Sequence, residues 1–120
     1  MTNKEIAILF LKTVGMGAVD KGFSAFVSAD FIHHNQYFKG DRQSLIDAMK
    51  QDHQNNPNRA IRPQQVLADK DKIVVHSLVE KVDMQIAVVH IFRFSEDKIV
   101  ELWDLGQVIE KNSPNQHGLF

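Results

Sequence analysis

A chain of 120 residues with a formal net charge of −1 and no cysteine has room for one domain with a real hydrophobic core, held without covalent staples. The charge balance offers no basic stripe for nucleic-acid phosphates, and the lack of cysteine excludes a disulfide scaffold, thiol catalysis and cysteine-ligated metal. The N-terminal apolar segment carries Lys12 and breaks at Gly15 and Gly17; it lacks the long uncharged run of a signal peptide or membrane span, so a soluble cytoplasmic protein is the expectation.

Thr2 and Glu5 have the spacing of a capping box. Ile6, Leu9, Phe10 and Val14 then recur at helical spacing, which predicts an amphipathic helix over residues 3–15, ended by Gly15 and Gly17. A short helical turn over Gly22–Val27 follows, with Phe23 and Phe26 as core anchors. Asp30–Gln36, which contains His33, His34 and Asn35, reads as an extended segment or short strand. Asp41 is the expected N-cap of a second long helix, with Leu45, Ala48 and Met49 on its buried stripe and an end near Gln54, ahead of Pro57.

The second half changes period. Ile61–Leu67, Ile73–Glu80, Gln85–Ser95 and Lys98–Ile109 are rich in Val, Ile and Phe and are separated by short polar turns, the pattern of an antiparallel meander. Pro63 places the first of these strands at an edge or in a bulge. The tail from Lys111 is polar until Gly118-Leu119-Phe120, an apolar end suited to folding back onto the body. Helices first and strands after predict one α+β domain over residues 1–120: a curved, cone-shaped antiparallel sheet packed on the N-terminal helices, with room for a small-molecule cavity.

Alternation along the last strand puts Val100, Leu102 and Asp104 on one face, and Ile99, Glu101, Trp103 and Leu105 on the other. A carboxylate among apolar residues is costly unless paired. Asp104 is therefore either tied structurally or set in a pocket where a shifted pKa is useful. Candidate partners are His34, beside Asn35; His76, on a face with Val74 and Leu78; and His90, on a face with Val88, Phe92 and Phe94. An imidazole and a carboxylate meeting in an apolar cavity suit general acid–base work. A structural role for each histidine is the competing reading. A metal site assembled from His34, His76, His90 and Asp104 has the ligand types but no local ligand spacing, and no metal is expected. Arg93 and Glu101 suit a cross-strand ion pair on the outer face. Trp103, Ile91 and Ile99 make that face apolar enough to suggest a homodimer through the sheet.

Phe31-Ile32-His33-His34-Asn35, Asp71–His76, Ile91-Phe92-Arg93-Phe94 and Lys98–Gln107, in that order along the chain, resemble the SnoaL-like polyketide cyclase family of the nuclear transport factor 2-like superfamily. The resemblance implies an α+β cone, commonly a homodimer, and a cavity in which an acid drives an intramolecular aldol ring closure without metal or cofactor. It matches Asp104 to the family's acid after the tryptophan, His34 and Asn35 to its polar step, and His76 to its strand histidine. Two positions depart. Leu102 stands where the family has a histidine, and His90 where it has an aspartate.

The expected function is thus a cofactor-independent cyclase, isomerase or aldol-type enzyme acting on a small apolar carbonyl compound. Asp104, His90 and His34 are its catalytic candidates; Asn35, His76, Leu102, Phe92 and Trp103 are its substrate-binding candidates. The alternative is a non-catalytic binding or dimerisation module of the same fold. An epoxide hydrolase, which needs an arginine between two acids, is disfavoured because Arg93 faces away from Asp104.

Overall fold

Thr2 starts the first helix as its spacing suggests. In the computed structural model, which describes residues 1–120, its hydroxyl accepts from the Glu5 N–H at 3.2 Å and the Glu5 carboxylate accepts from the Thr2 N–H at 3.3 Å. Helix α1 runs Asn3–Gly15 and buries Ile6, Ala7, Phe10, Leu11 and Val14. Leu9, expected on that stripe, is 42% exposed. At 100° per residue it lies about 130° round from the stripe's centre, because Ala7 and Leu11 pull the buried face the other way. Gly17 ends the first turn of chain beyond α1 with φ +104°.

Helix α2 spans Val19–Phe26, and Val27, expected at the end of that turn, instead opens strand β1 (Val27–His34). Helix α3 spans Arg42–Asn55 and begins at the expected cap: the Asp41 carboxylate accepts from the Ser44 N–H at 3.0 Å. Its buried residues are Leu45 and Ile46. Strands β2 (Asn58–Asp69), β3 (Lys72–Lys81), β4 (Gln85–Ser95) and β5 (Lys98–Val108) complete the chain.

The five strands form one curved, unclosed sheet in the order β1-β5-β4-β3-β2. The expected meander accounts for β2 to β5, which pair antiparallel. The wholly antiparallel sheet is corrected at β1, which pairs parallel with β5. Hydrophobic period reports which face a strand buries and carries no information about direction. Pro63 meets both halves of its expectation: β2 is an edge strand, and its pairing with β3 shifts register between Pro63 and Gln65.

A second irregularity changes the reading of β5. Arg93 pairs with Glu101 while the next residue, Phe94, pairs with Ile99, so Val100 is an extra residue, a β-bulge. Strict alternation puts Ile99 on the outer face with Glu101. The bulge resets the parity, and Ile99 is 0% exposed in the core while Leu102 stays inward. The core joins α1, α2, α3 and the inner sheet face in one cluster. Phe10 is its pivot, packed edge-on against Phe23 (5.3 Å) and Phe92 (5.9 Å). The tail does fold back, stacking Phe120 on the His76 ring at 4.7 Å. No helix is long and apolar enough to cross a membrane.

Candidate active site

Beyond the packed end of the core, α1, the segment after β1 and the inner faces of β3, β4 and β5 bound an open cleft of about 1050 Å³. Leu11, Val14, Met49, Val79 and Val88 supply much of its apolar wall. The polar groups gather where β1, β5 and β4 lie side by side.

Asp104 and His90 are register partners across β5 and β4, and both border the cleft. His90 Nε2 lies 3.4 Å from Asp104 Oδ1, and the Asn35 side-chain amide donates to Asp104 Oδ2 at 3.1 Å. Burial pushes the His90 imidazole below its ordinary pKa, and the opposing attraction of Asp104 is the smaller effect. At neutral pH His90 is therefore a neutral imidazole, because desolvation disfavours the charged ring more than the neighbouring Asp104 favours it. His90 Nδ1 is buried and has no protein partner.

Beyond the bulge at Val100, alternation keeps Leu102 and Asp104 inward and Glu101 and Trp103 outward. His34 follows the latter pair. It is opposite Trp103 in the β1–β5 register, stacks on the indole at 5.0 Å and 9°, and places Nε2 2.7 Å from Glu101 Oε2. The residue borders the rim of the cleft, but its side chain is 48% exposed and engaged on the outer face. This corrects the expectation that His34 faces Asp104. The Arg93 Nε–H donates to Glu101 Oε1 at 2.9 Å, the cross-strand pair expected there. The hydrogen bond from His34 is the leading cause that holds the Glu101 carboxyl below its usual range, with Arg93 adding to it.

His76 is also corrected. The buried residues of β3 are Ile73, Val75, Ser77 and Val79, so His76 faces outward, where it meets Phe120 and lies 3.3 Å from the Gln65 amide. The metal set of His34, His76, His90 and Asp104 is thus split between two faces of the sheet. Leu102 and Phe92 do point inward but are sealed in the core, 2% and 0% exposed, rather than on the cleft wall. Trp103 lies on the outer face beneath His34.

Three further polar residues lie in or beside this region. His33 takes the inward position expected for His34: it is 4% exposed, borders the cleft, stacks on Phe31 at 6.2 Å, and neither ring nitrogen has a protein partner. Alternation from Phe31 was the available signal. Lys81 holds its ammonium at the cleft edge, donating to Asp52 (3.0 Å) and to the Asn56 carbonyl (2.7 Å). No periodicity marks it, because it ends β3 beside a turn. His53, which looks solvated in a polar stretch, packs its ring over Gly17 with Nδ1 buried.

This architecture, three helices on one curved sheet with a cleft at the open end, is the nuclear transport factor 2-like fold. Among solved structures the chain is similar to a SnoaL-like polyketide cyclase from Agrobacterium tumefaciens, with TM-score 0.72, 17% identity, and 89% of this chain and 92% of that one covered. IdmH from Streptomyces antibioticus, a candidate polyketide cyclase, superimposes with TM-score 0.75 at 11% identity over 89% of this chain and 93% of its own. A nuclear transport factor 2-like protein of unknown function from Burkholderia xenovorans LB400 gives TM-score 0.74 at 11% identity, covering 93% and 88%. At such identities the likeness is one of fold. No protein-family model matches the chain, and no curated protein matches it.

Proposed function

We propose that the cleft is the active site of a cofactor-independent enzyme of the cyclase, isomerase or aldol type, acting on a small apolar carbonyl compound. The observation that carries this reading is the setting of Asp104. Its two oxygens are addressed from opposite sides by His90 and Asn35, at the wall of a cleft of mixed lining in which Leu11, Val14, Val79 and Val88 stand beside Asp52, Asn58 and Lys81. A carboxylate held in this way is a base with a defined orientation, the arrangement acid–base catalysis needs.

In the reaction proposed, an Asp104 oxygen takes a proton from the carbon next to a carbonyl, and the C–H electron pair moves to leave an enolate. The enolate carbon then attacks a second carbonyl of the same molecule, closing a ring, or is reprotonated elsewhere, moving a double bond. In either case Asp104 returns its proton to the product. His90 and Asn35 act as positioning residues for the base. The fold shared with a SnoaL-like polyketide cyclase supports the reaction class. The same reading includes a homodimer through the outer sheet face, which presents Ile32 (46% exposed) beside Trp103.

The test is solvent-deuterium incorporation next to the carbonyl across a panel of cyclic and acyclic ketones and aldehydes, followed by mass spectrometry. Exchange that depends on the wild-type protein supports the enzyme. Saturable binding of the same compounds with no exchange would instead assign the chain as a non-catalytic binding module.

A further inference from the structure

The connection from β1 to α3 carries two aromatic side chains that packing leaves free. Tyr37 is 77% exposed, the highest value among the large hydrophobic residues, and Phe38 is 43% exposed. Both border the cleft, and so does the exposed Val108 at the end of β5. Single apolar residues on a surface need no explanation, but a group of them around an open cavity marks a binding place. Neither ring joins the core cluster. They stand edge-to-face with each other, centroids 6.4 Å apart.

The connection is pinned at its neck. The His33 N–H donates to the Gly40 carbonyl at 3.1 Å, Ile32 bridges to Asp41, and Asp41 caps α3. Gly40 suits this close approach, since a Cβ there would lie 3.1 Å from the His33 carbonyl oxygen. Inside the neck, the Asn35 amide bonds in two directions. Its Oδ1 accepts from the Tyr37 N–H at 3.0 Å, and its Nδ2 donates to Asp104 Oδ2 at 3.1 Å. One planar group thus ties the backbone of the aromatic tip to the carboxylate. A molecule resting on that tip is held beside Asp104.

We infer that Tyr37 and Phe38 are ligand-contacting residues that cover a planar, aromatic carbonyl compound in the cleft, with Asn35 setting that cover against Asp104. The inference rests on the cleft being the ligand site proposed above and adds to it the side chains that select a flat body. Two rings set edge-to-face offer a ligand one face and one edge, the arrangements that aromatic partners prefer. Binding then takes apolar surface on both partners out of water. A compact aliphatic ketone gains the second effect without the first.

Tyr37 is the only tyrosine of the chain, so protein made with 3-fluorotyrosine gives one 19F signal, from the tip itself. The probe is 2-acetylnaphthalene, and methyl 1H–13C spectra report on Leu11, Val14 and Val88 of the cleft wall. The probe is expected to shift the 19F signal and the wall methyls along one saturation curve. Replacing both rings, Tyr37→Ala with Phe38→Ala, is expected to weaken its binding about tenfold and that of 2-adamantanone, a cage-shaped ketone, by less than about threefold. Wall methyls that shift while the 19F signal stays still would leave the cleft occupied and overturn this inference alone. Undiminished binding of 2-acetylnaphthalene by the double variant, or equal weakening for both ketones, would overturn it too. So would a 19F signal that moves on diluting the protein but not with the probe, which would give the tip to a second copy of the chain. Silence in both spectra would defeat the cleft reading and this inference together. None of these readouts depends on turnover.

Discussion

His90 and Asp104 stand directly opposite each other on β4 and β5, with Nε2 3.4 Å from Oδ1. The pair is cross-strand, inward-facing and at the boundary between core and cleft, and Asn35 holds the second carboxylate oxygen at 3.1 Å. In the reaction proposed above, these contacts orient Asp104 as the base. Asp104→Asn keeps the shape and removes the basic oxygen pair. It is expected to lower the rate of deuterium exchange by about 10²–10⁴-fold, the usual worth of a positioned acid–base group, while circular dichroism shows an unchanged fold. An Asp104→Asn protein that exchanges at the wild-type rate would remove Asp104 from the chemistry.

The same pair predicts how stability responds to acid. His90 is held below its ordinary value of 6.5 by burial, so the unfolded chain binds this proton at a pH where the folded chain does not. The unfolded state then carries more protons, and stability rises with pH across that window. Read downward, stability is expected to fall as pH drops below 6.5, with this group contributing at most about 1.4 kcal/mol per pH unit, and to level off below the folded value. Urea midpoints measured at successive pH values check this. In His90→Phe, which retains the packing against Phe92 (ring centroids 6.0 Å apart in wild type), that limb is expected to flatten. A limb of unchanged slope would show that other groups cause it.

How far the sequence carried these conclusions differs from element to element. The Thr2–Glu5 and Asp41–Ser44 caps, the four strands of the meander and the inward face of His90 all follow from local spacing, and the structure has them. What period alone does not encode is a change of phase. The Val100 bulge shifts alternation by one residue, which moves Ile99 from the outer face to the core without touching Asp104. In β1 the misleading signal is a neighbour. His34 and Asn35 read as one polar step, yet the strand ends at His34, and Asn35 reaches Asp104 from the turn beyond. Strand direction is a third gap. β1 comes to lie parallel to β5 because intervening helices and strands carry the chain back, a fact of tertiary packing that no window of residues contains.

On the outer face, Glu101 accepts from both His34 and Arg93. Its carboxyl is held below its ordinary value of 4.5, with the His34 hydrogen bond the largest cause. A depressed carboxyl contributes stability above its unfolded pKa and loses it as pH falls through the folded value. Glu101→Gln is therefore expected to weaken the acid limb below pH 4.5 and to cost under about 1 kcal/mol at neutral pH, the scale of partly exposed ion pairs. Because the network lies on the face away from the cleft, His34→Ala is expected to leave exchange rates within about twofold of wild type, well short of the loss from removing an acid–base group. A large loss of turnover in His34→Ala would return that residue to the active site.

The proposed dimer makes the last prediction. Ile32 is 46% exposed on the outer face, beside Glu101 in register, and Trp103 lies next along the same strand. Apolar area of this kind, rimmed by the charged Arg93–Glu101–His34 network, has the composition of a protein interface, with an apolar centre and a polar rim. Sedimentation equilibrium is expected to give twice the chain mass at high concentration and to shift toward one chain on dilution, as mass action requires. Ile32→Lys places a charge at the apolar centre and is expected to move the midpoint of that shift to higher concentration by tenfold or more, since desolvating an unpaired ammonium costs more than about 1.4 kcal/mol. The substitution is outside the cleft, so thermal stability at concentrations where both proteins are single chains is the control for folding. A wild-type chain that stays monomeric at every concentration would sink the dimer. The stack of Phe120 on His76 would then be cover that the outer face draws from its own chain.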